Sequence, residues 1–400
     1  MQVDFYRHGL SAADAAVVAN VLDTPFLTTG RVCREVEAQL CAYFEVPHAV
    51  LTSSWTSGAM ALLLAMGIGP GDEVIVPAMT FVASANIVEL VGARTVLVDV
   101  EPDTFLMAPE TAARAVTPRT KAVIPVHLYG RMIDVAGLRR ALDAVSAPKQ
   151  HIFIIEDCAH CFEGRRASER PGRHSDAAAF SFYATKNVTC GEGGAVICRD
   201  AGLYGRLLEA RLHGMSASAI DRFRGGRYNH WDMRNVGVKA NLPDLLAALL
   251  PAQIATIDKR LPERQALAAR YRAAFADTPL RLPADIADCT DACHLFTIGV
   301  PASLRDIAIT TLNEAGISVT VNFRALPDLT YYRERYPDAA AHCPNAIAWG
   351  RETISLPLYP GMPPDHQAYV IDVVRRDIVG RLMASRQCAS DTSNRFGAVE

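Results

Sequence analysis

Short apolar runs alternate with helical stretches through the first part of the chain, and that rhythm admits few architectures. Strands are expected at 49–51, 73–76, 95–98, 121–126 and 152–155, and helices at 57–66, 81–91, 109–116 and 134–145, preceded by helices at 11–22 and 31–43. Repeated β-α units need crossover connections, so the strands must lie mostly parallel in one α/β sheet with helices on both faces. Two further strands, 177–182 and 194–198, have only a short turn between them and are expected to pair as a hairpin, which gives the mixed sheet one antiparallel edge. From Pro243 the pattern changes to helices at 243–257 and 262–276. Pro279, Pro283 and the Asp/Ala-rich stretch to Asp291 read as a linker, followed by strands near 294–300 and 317–321 and helices near 303–315 and 365–384. The expected division is a large domain over 1–280, a small C-terminal domain over 281–388 and a poorly ordered polar tail over 389–400.

Composition narrows the function. A chain of 400 residues that is 50% hydrophobic can bury cores for two domains. Its 40 basic side chains against 43 acidic ones leave no field suited to nucleic acid, and no basic run is interleaved with aromatics, so no nucleic-acid partner is expected. Met1 to His8 lacks the charged start and apolar stretch of a secretion signal, and no apolar run is long enough to span a bilayer. A cytoplasmic protein without a membrane partner is expected. The cysteines include the pair Cys158 and Cys161 around His160, and Cys289 and Cys293 beside His294. Neither pair has a second pair at metal-finger spacing, so no metal is expected, and a reducing cytosol argues against disulfides.

Lys186 stands in Phe182–Gly194, a small, turn-forming stretch between two apolar runs, where an amine can face a cleft. Desolvation lowers an amine's proton affinity and makes it nucleophilic toward an aldehyde, the chemistry that holds pyridoxal phosphate (PLP) as a Schiff base. A solvated loop lysine would look the same in this segment alone. Upstream, the run from His151 to Ile155 reads as a strand buried on both faces and ends in Glu156 and Asp157. Open α/β sheets bind ligands at the carboxyl ends of their strands. PLP needs an acid beside its pyridine nitrogen, because a protonated ring withdraws electrons from the substrate carbanion; Asp157 is the candidate. A helix N-cap or a loop salt bridge is its alternative use. Thr56 and Ser57 lie where strand 49–51 gives way to a helix, and free amides and hydroxyls there suit the cofactor phosphate, although plain helix capping uses the same residues.

These motifs, with Ile68–Pro77, Thr117–Ala122 and Val126–Gly130, resemble the DegT family of sugar-nucleotide aminotransferases from about Thr28 to Val374. The resemblance implies the PLP-dependent transferase fold type I, typified by aspartate aminotransferase: a mixed, mostly parallel sheet sandwiched by helices, with a smaller C-terminal α/β domain. It makes Lys186 the Schiff-base lysine and general acid/base, Asp157 the ring-nitrogen partner and Phe81 the aromatic stacked on the ring. It puts His160 beside the ring and adds Ser181 to Thr56 and Ser57 at the phosphate. Without the family, Phe81 reads as a core aromatic and His160 as a satisfied core histidine. Gly237–Leu242 lies where many members carry Gly-Tyr-Asn-Tyr-Arg, whose Asn reaches the phosphate of the neighbouring subunit; Lys239 takes that place, and a homodimer with shared active sites is implied. Glu163 stands where the usual pattern has glycine, so the local backbone is expected to differ there.

By the same resemblance L-glutamate is the amino donor, leaving 2-oxoglutarate and pyridoxamine phosphate (PMP), and a keto sugar then takes the amine. Because Lys186 is present, the family's dehydratase branch, with histidine there, is disfavoured. Asn322–Pro327 and Tyr331–Pro337 look most like members that aminate C4 of UDP-linked 4-keto sugars for surface polysaccharide, lipid or glycoconjugate biosynthesis. Thr29 and His213 match segments lining the sugar pocket; Arg324 suits substrate phosphate or carboxylate, or an exposed salt bridge. The basic, aromatic stretch Asp221–Trp231 suits a nucleotide diphosphate or a solvated loop. Two other readings stay open: an aminotransferase acting on a C3-keto sugar or cyclitol ketone, and a non-catalytic regulatory or scaffold protein, which has no need of Lys186, Asp157 or a phosphate segment.

Overall fold

A computed structural model of the chain describes residues 1–148, 150–216 and 230–384. The strands are β1 (His48–Thr52), β2 (Glu73–Pro77), β3 (Arg94–Val98), β4 (Thr120–Val123), β5 (Phe153–Asp157), β6 (Arg165–Arg166), β7 (Ala177–Ser181), β8 (Gly194–Cys198), β9 (Cys289–Thr290), β10 (Phe296–Gly299) and β11 (Thr353–Leu356). The helices that position the site are α1 (Ala12–Leu22), α2 (Arg31–Phe44), α3 (Trp55–Ala65), α4 (Ala83–Leu90), α5 (Pro109–Arg114), α6 (Val135–Val145), α7 (Ala201–Ala210), α8 (Asp244–Ala247) and α9 (Pro251–Phe275).

The main sheet has the order β1-β8-β7-β5-β4-β2-β3. From β7 to β3 every neighbouring pair is parallel, as the β-α rhythm requires. In β2, Val74 and Val76 enter the core on one face and Ile75 the core on the other; β5 divides Ile155 and Ile154 in the same way. Alternate residues point to opposite faces, so helices on both sides turn each strand into an unbroken apolar run. The sheet is therefore the mixed, mostly parallel and helix-covered one expected.

One detail of the expectation is corrected. β8 is antiparallel to β7 but is not the edge: β1 lies outside it, also antiparallel, with Leu51 opposite Ala195. β8 is buried along its whole length, and a buried strand needs ladder partners on both sides. Nor is the β7–β8 connection a short turn. Residues 182–193 form a loop closed by Phe182 N–H donating to Gly193 O (2.8 Å) and Cys190 N–H donating to Phe182 O (3.0 Å), and this loop carries Lys186.

A second core gathers Val3, Tyr271, Phe275, Phe296, Ile298, Leu312 and Ile354 around the antiparallel pair β10–β11. Residues 317–321 form no strand; Ile317 makes a single bridge to Val3 and Thr320 one to Ser355. The helices expected at 243–257 and 262–276 are instead the one-turn α8 and a continuous α9 with Pro262 inside it. An interior proline costs about 3 kcal/mol or more. α9 offsets this by burying Ile254 and Ile257 in the core beneath β8 and Leu267, Tyr271 and Phe275 in the second core. Residues 221–229 of the basic stretch, and the tail 389–400, lie outside the described residues. Among the described residues no helix is long and apolar enough to cross a membrane.

Candidate active site

Asp157 ends β5 at the carboxyl edge of the sheet. Its Oδ2 accepts from Ser84 Oγ (2.7 Å) and its Oδ1 from the Ala159 N–H (3.0 Å), while Ser84 Oγ is itself 2.9 Å from Thr80 Oγ1. Burial pushes the Asp157 pKa up, and the bonds from Ser84 and Ala159 and the Lys186 charge oppose the shift. The neighbouring Glu156 faces away into a closed lock. His127 Nδ1 accepts from the Ile133 N–H (3.2 Å), so a neutral ring carries its proton on Nε2 and donates it to Glu156 Oε2 (2.7 Å). Glu156 Oε1 accepts from Gly172 N–H (2.7 Å) and Ser175 Oγ (2.5 Å). Together these bonds hold the strand end that presents Asp157.

Lys186 is half-buried in the loop after β7, where its N–H donates to Tyr183 O (2.9 Å). Burial lowers its pKa from 10.5 to about 8, against the pull of Asp157. Lys186 and Asp157 border one cavity of about 590 Å³, together with Thr56, Phe81, His160 and Ser181.

The other predicted residues of this group are placed by three elements. α3 opens at Trp55 with Ser54 as its N-cap: Ser54 Oγ accepts from Ser57 N–H (3.1 Å), and Ser57 Oγ accepts from Ser54 N–H (3.1 Å). Ser57 thus closes a capping box behind the first turn, while Ser54, Trp55 and Thr56 border the cavity. Gly194 passes under this helix start so closely that a Cβ there would lie 2.5 Å from the Ser54 carbonyl carbon, which only glycine avoids. Phe81 is no core aromatic: it is 53% exposed, borders the cavity and has its ring centroid 5.4 Å from that of Phe323. His160 is buried, accepts at Nδ1 from the Tyr129 N–H (3.2 Å), and is held neutral first by burial and then by the Lys186 charge.

Besides Ser57, four predicted residues do not border this cavity. Lys239 Nζ donates to Asn241 Oδ1, and Asn241 Nδ2 donates to Thr29 Oγ1 (2.7 Å) and Thr28 Oγ1 (2.9 Å). The His213 N–H donates to Val238 O (3.1 Å), so His213 lies against the same segment. Arg324 is exposed and turns its guanidinium to Asp328 O (2.9 Å).

The sequence reading missed His294, Phe323 and the N-terminal Phe5 and Tyr6, which all border the cavity. It also left Glu163 unexplained. Glu163 and Arg264 of α9 form an ion pair with 0% and 1% of their side chains exposed. Removing one member of a buried pair strands the other, so Glu163→Ala is expected to lower the unfolding free energy by about 3–5 kcal/mol in denaturant titrations. A loss under about 1 kcal/mol would contradict the burial.

A lysine of depressed basicity, a buried carboxylate, an exposed aromatic face and a helix N-terminus around one cavity make a donor set that fits PLP. Solved structures carry the same architecture. A Streptococcus pneumoniae protein described as a sugar aminotransferase, in its PMP form, is similar at 29% identity over 93% of this chain and 98% of that one, with a TM-score of 0.86. DesV of S. venezuelae, in complex with a ketimine intermediate, is similar at 33% identity over 94% and 98%, with a TM-score of 0.84. Helicobacter pylori PseC, an aminotransferase involved in the biosynthesis of pseudoaminic acid, shares the fold at 21% identity over 94% and 99%, with a TM-score of 0.85. The family profile for DegT/DnrJ/EryC1/StrS aminotransferases matches residues 10–375, so the chain belongs to that family.

Proposed function

We propose that this protein is a PLP-dependent aminotransferase that moves the amino group of L-glutamate to a keto group of a nucleotide-linked sugar, with C4 of a UDP-4-keto sugar as the favoured acceptor. The observation that carries the reading is the shared cavity: an amine with a pKa of about 8 and a buried carboxylate border it together. A scaffold protein would gain nothing from burying either charge. The acceptor class rests on the resemblance of Asn322–Pro327 and Tyr331–Pro337 to UDP-sugar enzymes.

Each residue has a distinct task. When bound, PLP supplies an electron sink that stabilises negative charge on the carbon beside the transferred nitrogen. Asp157, whose charge Ser84 and the Ala159 N–H favour against burial, would hold a proton on the ring nitrogen. Phe81 offers its ring face, and the α3 amides with Thr56 and Ser181 take the phosphate. Lys186 Nζ would take the proton from the donor's α-carbon and return it to the carbon on the far side of the transferred nitrogen, a 1,3 transfer that suits a pKa near working pH. Neutral His160 borders the ring without adding a charge that would compete with Asp157.

Lys239, Thr29 and His213 lie outside the cavity of their own chain and close to one another, which supports their serving a second subunit's site. Exposed Phe26, Leu27 and Val236 supply apolar surface for such a homodimer. The separate core around β10–β11 supports a small C-terminal domain, to which Val3 and the end of α9 also contribute.

The purified protein should be yellow, bleach with L-glutamate and regain colour with 2-oxoglutarate. A protein that stays colourless with excess PLP sinks the reading. Product analysis with UDP- and dTDP-linked 3- and 4-keto sugars and inososes separates C4 amination from the C3 and cyclitol alternatives. Because only the neutral amine attacks an aldehyde, reconstitution of the apoprotein with PLP should accelerate about tenfold per pH unit below pH 8 and level off above it. Stopped-flow absorbance reads this directly, and a rate independent of pH over that range would remove Lys186 as the attacking group.

A further inference from the structure

Asn187 follows Lys186 directly, and its side-chain amide is enclosed by groups of one hydrogen-bond sense each. Nδ2 donates to Glu163 Oε1 (2.8 Å) and to Ala292 O (3.0 Å). Both partners only accept, so both amide hydrogens are engaged and the orientation of the amide is forced. What remains for His294 Nδ1, 3.3 Å away, is the carbonyl oxygen Oδ1. An acceptor at that point requires the proton of a neutral imidazole to sit on Nδ1, leaving the lone pair of Nε2 uncovered. Burial, Lys186 and Arg264 keep the ring neutral. His294 borders the cavity, its ring centroid 4.5 Å from that of His160, and among the described residues no hydrogen bond reaches Nε2.

The anchor behind this amide is a closed polar ring. Arg264 pairs with Glu163, and Arg264 Nε donates to the same Ala292 O (3.1 Å) that Asn187 uses, two residues before His294. The ring holds the part-buried amide and the backbone of its histidine together.

We infer that Glu163 is a positioning residue that locks the Asn187 amide and so keeps His294 Nε2 in the cavity as a standing hydrogen-bond acceptor for a hydroxyl of the amino acceptor. The assignment of that hydroxyl rests on the proposed aminotransfer to a sugar; the tautomer does not. A polyhydroxylated acceptor offers the O–H donor that this lone pair needs.

The test is run on the holoprotein. Imidazole nitrogen-15 shifts, with the His294 signals identified by their loss in His294→Gln, report the tautomer without any substrate. The parent is expected to show His294 protonated at Nδ1 alone. Glu163→Gly combined with Arg264→Leu removes both charges together and avoids a stranded ion; it should populate the Nε2-protonated form. Asn187→Leu, which deletes the carbonyl, should do the same and serves if the double variant does not fold. In the double variant kcat/KM for the keto-sugar acceptor should fall about tenfold, the effect of one lost hydrogen bond, with the donor half-reaction unchanged. An Nε2-protonated His294 in the parent, a tautomer unmoved by both variants, or equal losses in both half-reactions would overturn the inference. If no keto sugar accepts the amine, the proposed function fails while the nitrogen shifts still decide the tautomer.

Discussion

Lys186→Ala is expected to abolish turnover and the yellow colour of the cofactor-bound protein together. A general acid/base accounts for roughly 10²–10⁴-fold in rate, and Lys186 is also the proposed covalent anchor, so the loss should reach at least about 10⁴-fold. PLP should still bind, because the α3 amides, Thr56, Ser181 and Asp157 remain, but it should leave on dialysis as the parent's does not. Small primary amines added to the variant should restore part of the rate, since they replace the missing proton carrier without the tether. Retention of the visible band, or of more than about a hundredth of the activity, would remove Lys186 from both roles. The same substitution has a signature in stability. The amine titrates at about 8 when folded and at the ordinary 10.5 when unfolded, so between those values the unfolded chain binds more protons and the parent gains stability as pH rises. Lys186→Ala should lack that slope: its advantage from losing a buried ammonium should be full below pH 8 and shrink toward pH 10.5, as denaturant midpoints across that window would show.

What the sequence made legible follows from where the information sits. β2 and β5 announce themselves because both faces are buried, so consecutive residues such as Val74, Ile75 and Val76 are all apolar. Asp157 could be placed on the page because its role depends on one strand and its end. β11 could not, since Thr353–Leu356 is a short, half-polar run whose strand character comes from pairing with β10. α9 was split at Pro262 because local propensity outweighs distant packing only on paper. In the site, Phe81 and His160 read in isolation as core residues, and Phe81 proves exposed to the cavity. His294 was hidden for a different reason: its tautomer is set by Asn187, Glu163 and Arg264, which are scattered along the chain and meet only in three dimensions. The one signal was the charge at Glu163, where the family resemblance led to glycine being expected, and its partner Arg264 lay in a helix still to be joined to it.

Asp157→Asn should lower turnover by on the order of 10²–10³-fold, the scale set by loss of a preorganised electrostatic partner, while leaving the yellow colour in place. Asparagine keeps the volume, and with its oxygen accepting from the Ala159 N–H its Nδ2 can donate to Ser84 Oγ, so the local fold should survive. A neutral amide cannot hold a proton on the ring nitrogen, so carbanion formation slows even though Lys186 still anchors the cofactor. The variant also carries a signed prediction about Lys186. Burial lowers the lysine pKa, and the only charge opposing that shift is Asp157. Removing this negative charge should let the amine fall below its value of about 8. The pH limb for PLP reconstitution should therefore move to lower pH, making cofactor capture faster in mildly acid buffer even as catalysis fails. A limb that stays where it was would mean that Asp157 does not act on Lys186, and a shift to higher pH would contradict the sign of its pull. Faster capture with slower turnover in one protein is hard to obtain from misfolding, and it would tie the carboxylate and the amine to opposite sides of the same bound ring.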